Sequence, residues 1–456
     1  MRSGISLLMF GVVFLASGVV CRGEGSATPP NVLLIVADDL GWSDLSCYGG
    51  EIPTPHCARL AREGLQLTRF YSTGRCCPSR GALLTGQYPH RVGLGHMTID
   101  LKRPGYRGRV DPDVPVLAQL LKAKGYATYL SGKWHLGTDD PTRHGFDEFY
   151  GTLVSAKTFW DPAHLLRLPA GRPRREYPAG TFYATDAVTD QALDFLDQAR
   201  NETGKPWFLY LAYHAPHFPL HARLEDIARH ASRYQVGWDQ IRQARFARQV
   251  ELGLFAETAQ LSPRSPYWDY GEQHTGVNPG WDSLDAERRA DLARRMAIYA
   301  AMVDRLDQNV GRVLKSLEEH AEADNTLVIF CSDNGACAEW DPHGFDISSS
   351  PQNILHTGDQ LEQMGSAGTF HSVGSGWANA SNTPFRMYKH YNHEGGISSP
   401  CLIRFPGRIQ AAGRIDNTPA HLIDLVPTIL GASGQTDLAG YPGKSLAPLF
   451  DQQSLS

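Results

Sequence analysis

From Asn31 to Ala37 the chain reads Asn-Val-Leu-Leu-Ile-Val-Ala, with no polar residue after the first, between Pro30 and Asp38. An unbroken, β-branched run of that length predicts a strand buried on both faces of a mostly parallel sheet. Runs of the same kind lie at Ala127–Leu130, Trp207–Ala212, Thr326–Cys331 and Cys401–Phe405. Between them apolar residues recur at helical spacing, over Pro55–Glu63, Val116–Lys124, Ala184–Arg200 and the long stretch from Asp285 to Glu319. Strands alternating with helices predict an α/β fold: a large, mostly parallel or mixed central sheet with helices on both faces. Two stretches keep neither period. His221 to Pro279 is rich in Arg, Gln, Trp and Tyr, and Ala336 to Thr383 in Gly, Ser and His. Both read as long loop insertions.

The polar residues that interrupt this pattern sit just past the expected strand ends: Asp38-Asp39, Lys133 with His135, His214 with His217, and Asp333-Asn334. Sheets of this kind bind ligands beyond the carboxyl ends of their strands, so one sheet edge gathers all four groups. Adjacent carboxylates repel one another unless a cation lies between them. A turn at a strand end explains either Asp38-Asp39 or Asp333-Asn334-Gly335 taken singly. Taken together they offer oxygen donors only, which suits calcium or magnesium and not zinc. Lys133 and His135, within Gly-Lys-Trp-His-Leu-Gly, stand two apart and point to one side of an extended segment.

The densest chemistry is Cys76-Cys77-Pro78-Ser79-Arg80, followed by Gly-Ala-Leu-Leu-Thr-Gly86. Pro78 suits a first helical position, Ala82-Leu83-Leu84 favours helix, and Gly86 ends it. Cys76 then lies at a helix N-terminus with Arg80 one turn on, a setting that favours an anion. A loop with a buried cysteine pair accounts for the five residues alone.

Cys-x-Pro-Ser-Arg leading into Leu-Thr-Gly resembles the signature of type I sulfatases, and the likeness extends from about Pro30 to Leu449. The resemblance implies the alkaline-phosphatase-like fold and a sulfuric ester hydrolase close to bacterial arylsulfatases. It implies that Cys76, not Cys77, is oxidised to Cα-formylglycine by a separate modifying enzyme. Asp38, Asp39, Asp333 and Asn334 then match the residues that bind calcium together with residue 76. Lys133, Lys389 and Arg80 match groups that hold sulfate oxygens. His135 matches the group that holds or deprotonates the formylglycine hydrate, and His217 the acid for the leaving oxygen. Arg386 and Glu394 read as structural partners. The implied substrate is a sulfated small molecule or carbohydrate, with aryl, sugar and steroid sulfates all open. A phosphate or phosphonate ester hydrolase of the same superfamily and an inactive sulfate-binding homologue are the alternatives. The chain departs from the pattern at Ile397-Ser398-Ser399-Pro400. It also stops at Ser456, where the family continues into a small antiparallel sheet, so that C-terminal subdomain is expected to be largely missing.

Composition adds limits. Of 456 residues 42% are hydrophobic and 20% charged, as in ordinary globular proteins, and the net charge of -5 argues against nucleic acid as a partner. The eight cysteines show no paired zinc spacing. Residues 1–24 carry Arg2 and an apolar run from Ile5 to Val20, which reads as a cleaved signal peptide before a catalytic domain at 25–456. Val20 is bulky for lipid attachment at Cys21, and no later run suits a membrane span. The expected product is exported (periplasmic, secreted or lysosome-like) with no stable membrane insertion.

Overall fold

The computed structural model describes residues 29–268, 275–340, 342–350 and 352–455, together with Met1. The apolar run of the expected signal peptide and Cys21 lie outside the described residues. The strands, in chain order, are β1 (Asn31–Asp38), β2 (Leu65–Tyr71), β3 (Ala127–Lys133), β4 (Glu148–Thr152), β5 (Leu166–Leu168), β6 (Trp207–Pro216), β7 (Pro266–Trp268), β8 (Thr275–Val277), β9 (Thr326–Ser332), β10 (Ser398–Arg404), β11 (Arg414–Asp416) and β12 (Ala420–His421). The main sheet runs β11-β2-β10-β9-β1-β6-β3-β4-β5, with β12 also on β2, while β7 and β8 pair separately. Its centre, β9-β1-β6-β3-β4, is parallel. β10 is antiparallel to both β9 and β2, so the sheet is mixed.

The unbroken apolar run of β1 has the expected cause. Leu33, Ile35 and Ala37 face one core, with helices α1 (Pro55–Arg62), α4 (Ala184–Gln198) and α7 (Ala286–Glu319). Val32, Leu34 and Val36 face another, with α2 (Cys76–Thr85), α3 (Leu117–Ala123) and the helix Leu425–Ala432. Asp285 caps α7, its carboxylate accepting from Arg288 N at 2.7 Å. α2 begins at Cys76 itself, so Pro78 is its third residue. It remains in the first turn, where a missing N–H loses no intrahelical bond. No helix among the described residues is long and apolar enough to cross a membrane.

The described residues of the stretch 221–279 are not a loop. They form α5 (Leu224–His230), α6 (Gly237–Glu251) and the antiparallel β7–β8 pair. The buried face of α6 carries Trp238, Ile241, Arg245 and Gln249. Half of that face is polar, which hides the helical period. Arg245 is buried because Glu51 and Asp44 receive its guanidinium at 2.7 and 2.8 Å. The second stretch remains largely irregular, with short helices at Asp359–Gln363 and Ser375–Ser381.

Close strand contact at the site's edge requires Gly132. A Cβ there would lie 1.8 Å from Ala212 O, and its φ is +116°. Overpacking of a tight core costs about 1–3 kcal/mol. Gly132→Ala is therefore expected to lower the unfolding free energy by at least about that much, read by denaturant titration. An unchanged midpoint would contradict the described approach of β3 to β6.

Candidate active site

Register brings the candidate residues together. Val36 of β1 pairs with Ala212 of β6, which pairs with Gly132 of β3. On the other side Ala37 pairs with Ser332 of β9. Asp38-Asp39, Lys133-Trp134-His135, His214 to His217 and Asp333-Asn334 thus leave neighbouring strands at one edge. The expected positions run slightly late, since Asp38, Lys133 and His214 are still strand residues. His135 reaches the site differently from the extended geometry expected. It has φ +58°, as Asp39 has +64°, and such left-handed non-glycine residues mark places where surroundings fix the chain.

Cys76 lies 1% exposed at the first position of α2, on the floor of a cavity of about 320 Å³. His217, Lys389, Arg75, Glu339, Trp340 and His390 also line it. A hydrogen bond from Cys77 pulls the Cys76 thiol well below its ordinary value against burial, and the Lys133, Lys389 and His135 charges add to this. Burial pushes the Cys77 thiol far up. The His135 imidazole bonds Cys76; burial and the Lys133 charge lower it to about 4. His135 is thus neutral at neutral pH and able to take a proton.

Beneath the cavity three carboxylates meet three cations. Lys133 Nζ lies 2.5 Å from Asp38, Lys389 Nζ 2.8 Å from Asp39, and Arg80 Nε 2.8 Å from Asp333. Asn334 Nδ2 donates to Asp39 Oδ1 at 2.7 Å, and Asp39 N donates to Asp333 Oδ1 at 3.3 Å. Burial raises the Asp38 carboxyl, but Lys133, His217 and Arg80 together hold it well below the usual carboxylate range. Burial and the Asp38 charge push Asp333 well above that range. Asp38 Oδ1 and Asn334 Oδ1 are buried without hydrogen bonds, and Asp38 Oδ1 faces the Arg80 guanidinium at 3.5 Å.

Arg80 has partners of its own within the fold. It is completely buried, and its guanidinium is spent on Asp333, the Lys133 carbonyl at 3.1 Å and Tyr210 OH at 3.4 Å. Five positions into α2, it faces the sheet below the cavity. His217 Nδ1 donates to Phe218 O at 2.6 Å, which fixes the tautomer and leaves Nε2 3.6 Å from Asp39 Oδ2. His214 bonds Thr152 Oγ1 at 2.7 Å, and burial with the Lys133 charge holds it well below its ordinary value. It is a packed histidine. Arg386 does not line the cavity, and Glu394 accepts from Ser398 Oγ at 2.5 Å and Tyr71 OH at 3.3 Å. Among the described residues the cysteines are free. Sequence reasoning missed Tyr299 of α7, whose hydroxyl donates to Asp44 Oδ2 at 2.7 Å and lies 3.1 Å from Asp39 O. Its only signal was a tyrosine on the apolar stripe of a helix. Glu339 and Trp340, at the cavity rim, were also missed, inside a stretch without periodicity.

The chain as a whole resembles known proteins. An uncharacterised sulfatase of Schizosaccharomyces pombe is 36% identical, over 89% of this chain and 75% of its own. An arylsulfatase of Klebsiella aerogenes is 31% identical, over 92% and 88%. A solved structure, Ps i-CgsB in complex with k-i-k-neocarrahexaose, is 26% identical and superposes with a TM-score of 0.61 over 93% of this chain and 77% of that one. The sequence model of the sulfatase family matches residues 30–435. The chain belongs to the sulfatase family and is a sulfuric ester hydrolase.

Proposed function

We propose that the chain cleaves a sulfate monoester at residue 76, after oxidation of Cys76 to formylglycine by a separate enzyme, with calcium held by Asp38, Asp39, Asp333 and Asn334. The observation that carries this reading is the meeting of Cys76 with two lysines above a carboxylate cluster that retains two buried, unbonded oxygens. That donor set is all oxygen and fits a hard divalent ion, whose charge would offset the burial and the Asp38 charge that raise Asp333. These residues would hold calcium there, and the ion would supply Lewis-acid stabilisation of charge on the ester oxygens. An aldehyde formed from Cys76 would, once hydrated, supply two hydroxyls on one carbon, which a thiol or serine lacks.

The other residues act on the ester or hold those that do. Three cations already match the three carboxylates, so a divalent ion leaves net positive charge for an anionic substrate. Lys389 and Lys133 hold the ester oxygens and offset charge as it develops. Arg80 is a positioning residue that fixes Asp333 and Asp38. His135, neutral, takes a proton from residue 76. Because His217 Nδ1 is committed to Phe218 O, its Nε2 carries a proton only as imidazolium, and in that form it protonates the leaving oxygen. The substrate is a sulfated small molecule or carbohydrate, the latter supported by the likeness to a protein solved with neocarrahexaose.

Two measurements test this. Elemental analysis of the folded protein should find calcium in a one-to-one ratio, lost in Asp38→Asn with Asp333→Asn. Zinc in that place, or no metal in active protein, would contradict it. The protein should also favour 4-nitrophenyl sulfate over 4-nitrophenyl phosphate; the opposite preference would support a phosphate ester hydrolase instead.

A further inference from the structure

The cavity above Cys76 has one wall that the reaction does not use. Glu339, Trp340 and His390 line it, and all three are left-handed, with φ of +37°, +70° and +80°. Non-glycine residues held there cost of order 1–3 kcal/mol each and cluster at ligand clamps. The fold fixes this wall from behind. Ser372 Oγ donates to Glu339 O at 2.6 Å, and Gly374 N donates to Ala338 O at 3.1 Å. The Glu339 carboxylate accepts from Ser349 Oγ at 2.7 Å, Cys337 Sγ at 3.1 Å and His390 Nε2 at 3.2 Å. Burial pushes its carboxyl up, but the hydrogen bond and charge of His390, with Lys389, hold it below the usual range. A carboxylate offers about four acceptor positions, so one remains, and the side chain is 18% exposed.

A persistent carboxylate here selects what lies beside it. A purely apolar aryl or sterol ring would desolvate Glu339 without giving a hydrogen bond in return. A second sulfate or carboxylate at the same place would meet like charge. A neutral, hydroxyl-bearing group satisfies it, and the Trp340 indole beside it offers a flat apolar surface of the kind that covers the C–H face of a pyranose.

We infer that Glu339 and Trp340 form the leaving-group subsite and that the leaving group is a sugar ring, with Glu339 accepting a hydroxyl hydrogen bond and Trp340 covering the ring. This rests on residue 76 as the site of ester cleavage. Hydrogen bonds to charged groups are strong enough that their loss costs about 10- to 100-fold.

The test compares kcat/KM of the parent protein, Glu339→Gln and Trp340→Ala on a panel of pyranose monosulfates, 4-nitrophenyl sulfate and a steroid sulfate. The parent should cleave at least one sugar sulfate. Each variant, melting like the parent, should lose about 10- to 100-fold on that sugar and less than about 3-fold on 4-nitrophenyl sulfate. Equal losses on both substrates, no loss on the sugar, or a parent that cleaves aryl or steroid sulfates but no sugar would overturn the subsite. A parent that cleaves no sulfate ester at all would instead overturn the reading on which it rests. Should Glu339→Gln fail to fold, Trp340→Ala alone decides by the same ratio.

Discussion

Replacing Cys76 by alanine is expected to reduce sulfate ester turnover by about 10,000-fold or more, as loss of a covalent nucleophile typically does, while Cys77→Ala keeps most of it. The two thiols are adjacent in sequence but stand in different surroundings. Cys76 opens α2, lines the cavity and feels Lys133, Lys389 and His135. Cys77 does not line the cavity, and burial keeps its thiol protonated. Cys77 does hydrogen-bond Cys76, so a loss of a few-fold in its alanine variant fits a supporting role. Steady-state assays with a melting control decide the matter. An inactive Cys77 variant beside an active Cys76 variant would reverse the assignment.

The second large effect concerns His217. An activated nitrophenolate leaves with little protonation, whereas a sugar alkoxide needs a good deal. General acid catalysis contributes about 100- to 10,000-fold. His217→Ala is therefore expected to reduce kcat/KM on an alkyl or sugar sulfate by about that factor, and on 4-nitrophenyl sulfate far less. Its Nε2 lies 3.6 Å from Asp39 Oδ2 and the residue lines the cavity, so some loss of ester binding falls on both substrates. The ratio of the two losses is the informative quantity. Equal losses would make His217 a binding residue and move the proton donor to His135 or water.

Much of this was legible in the chain because burial and chemistry wrote different patterns. A strand covered on both faces must be apolar throughout, so β1, β6 and β9 announced themselves, and the first polar residues after them became site candidates. β2 did not. It lies near the sheet margin, and Gln66, Thr68 and Arg69 interrupt its apolar residues. α6 hid because Arg245 and Gln249 occupy its buried face, satisfied by partners far away in sequence. The partners of the Arg80 side chain could not be read from the sequence. Only the finished fold shows that Asp333, more than two hundred residues later, takes its guanidinium. The rim residues Glu339 and Trp340 were illegible for a related reason, since their conformation is imposed by Ser372 and Gly374 rather than by local periodicity.

The central claim is that residue 76 does the chemistry in modified form. Catalytically active protein, digested and analysed by mass spectrometry, addresses it directly through the peptide that holds Cys76. The expected result is a mass with an aldehyde in place of the thiol, trapped by a hydrazide, with Cys77 unmodified. Active protein whose Cys76 remains wholly a thiol would contradict the account.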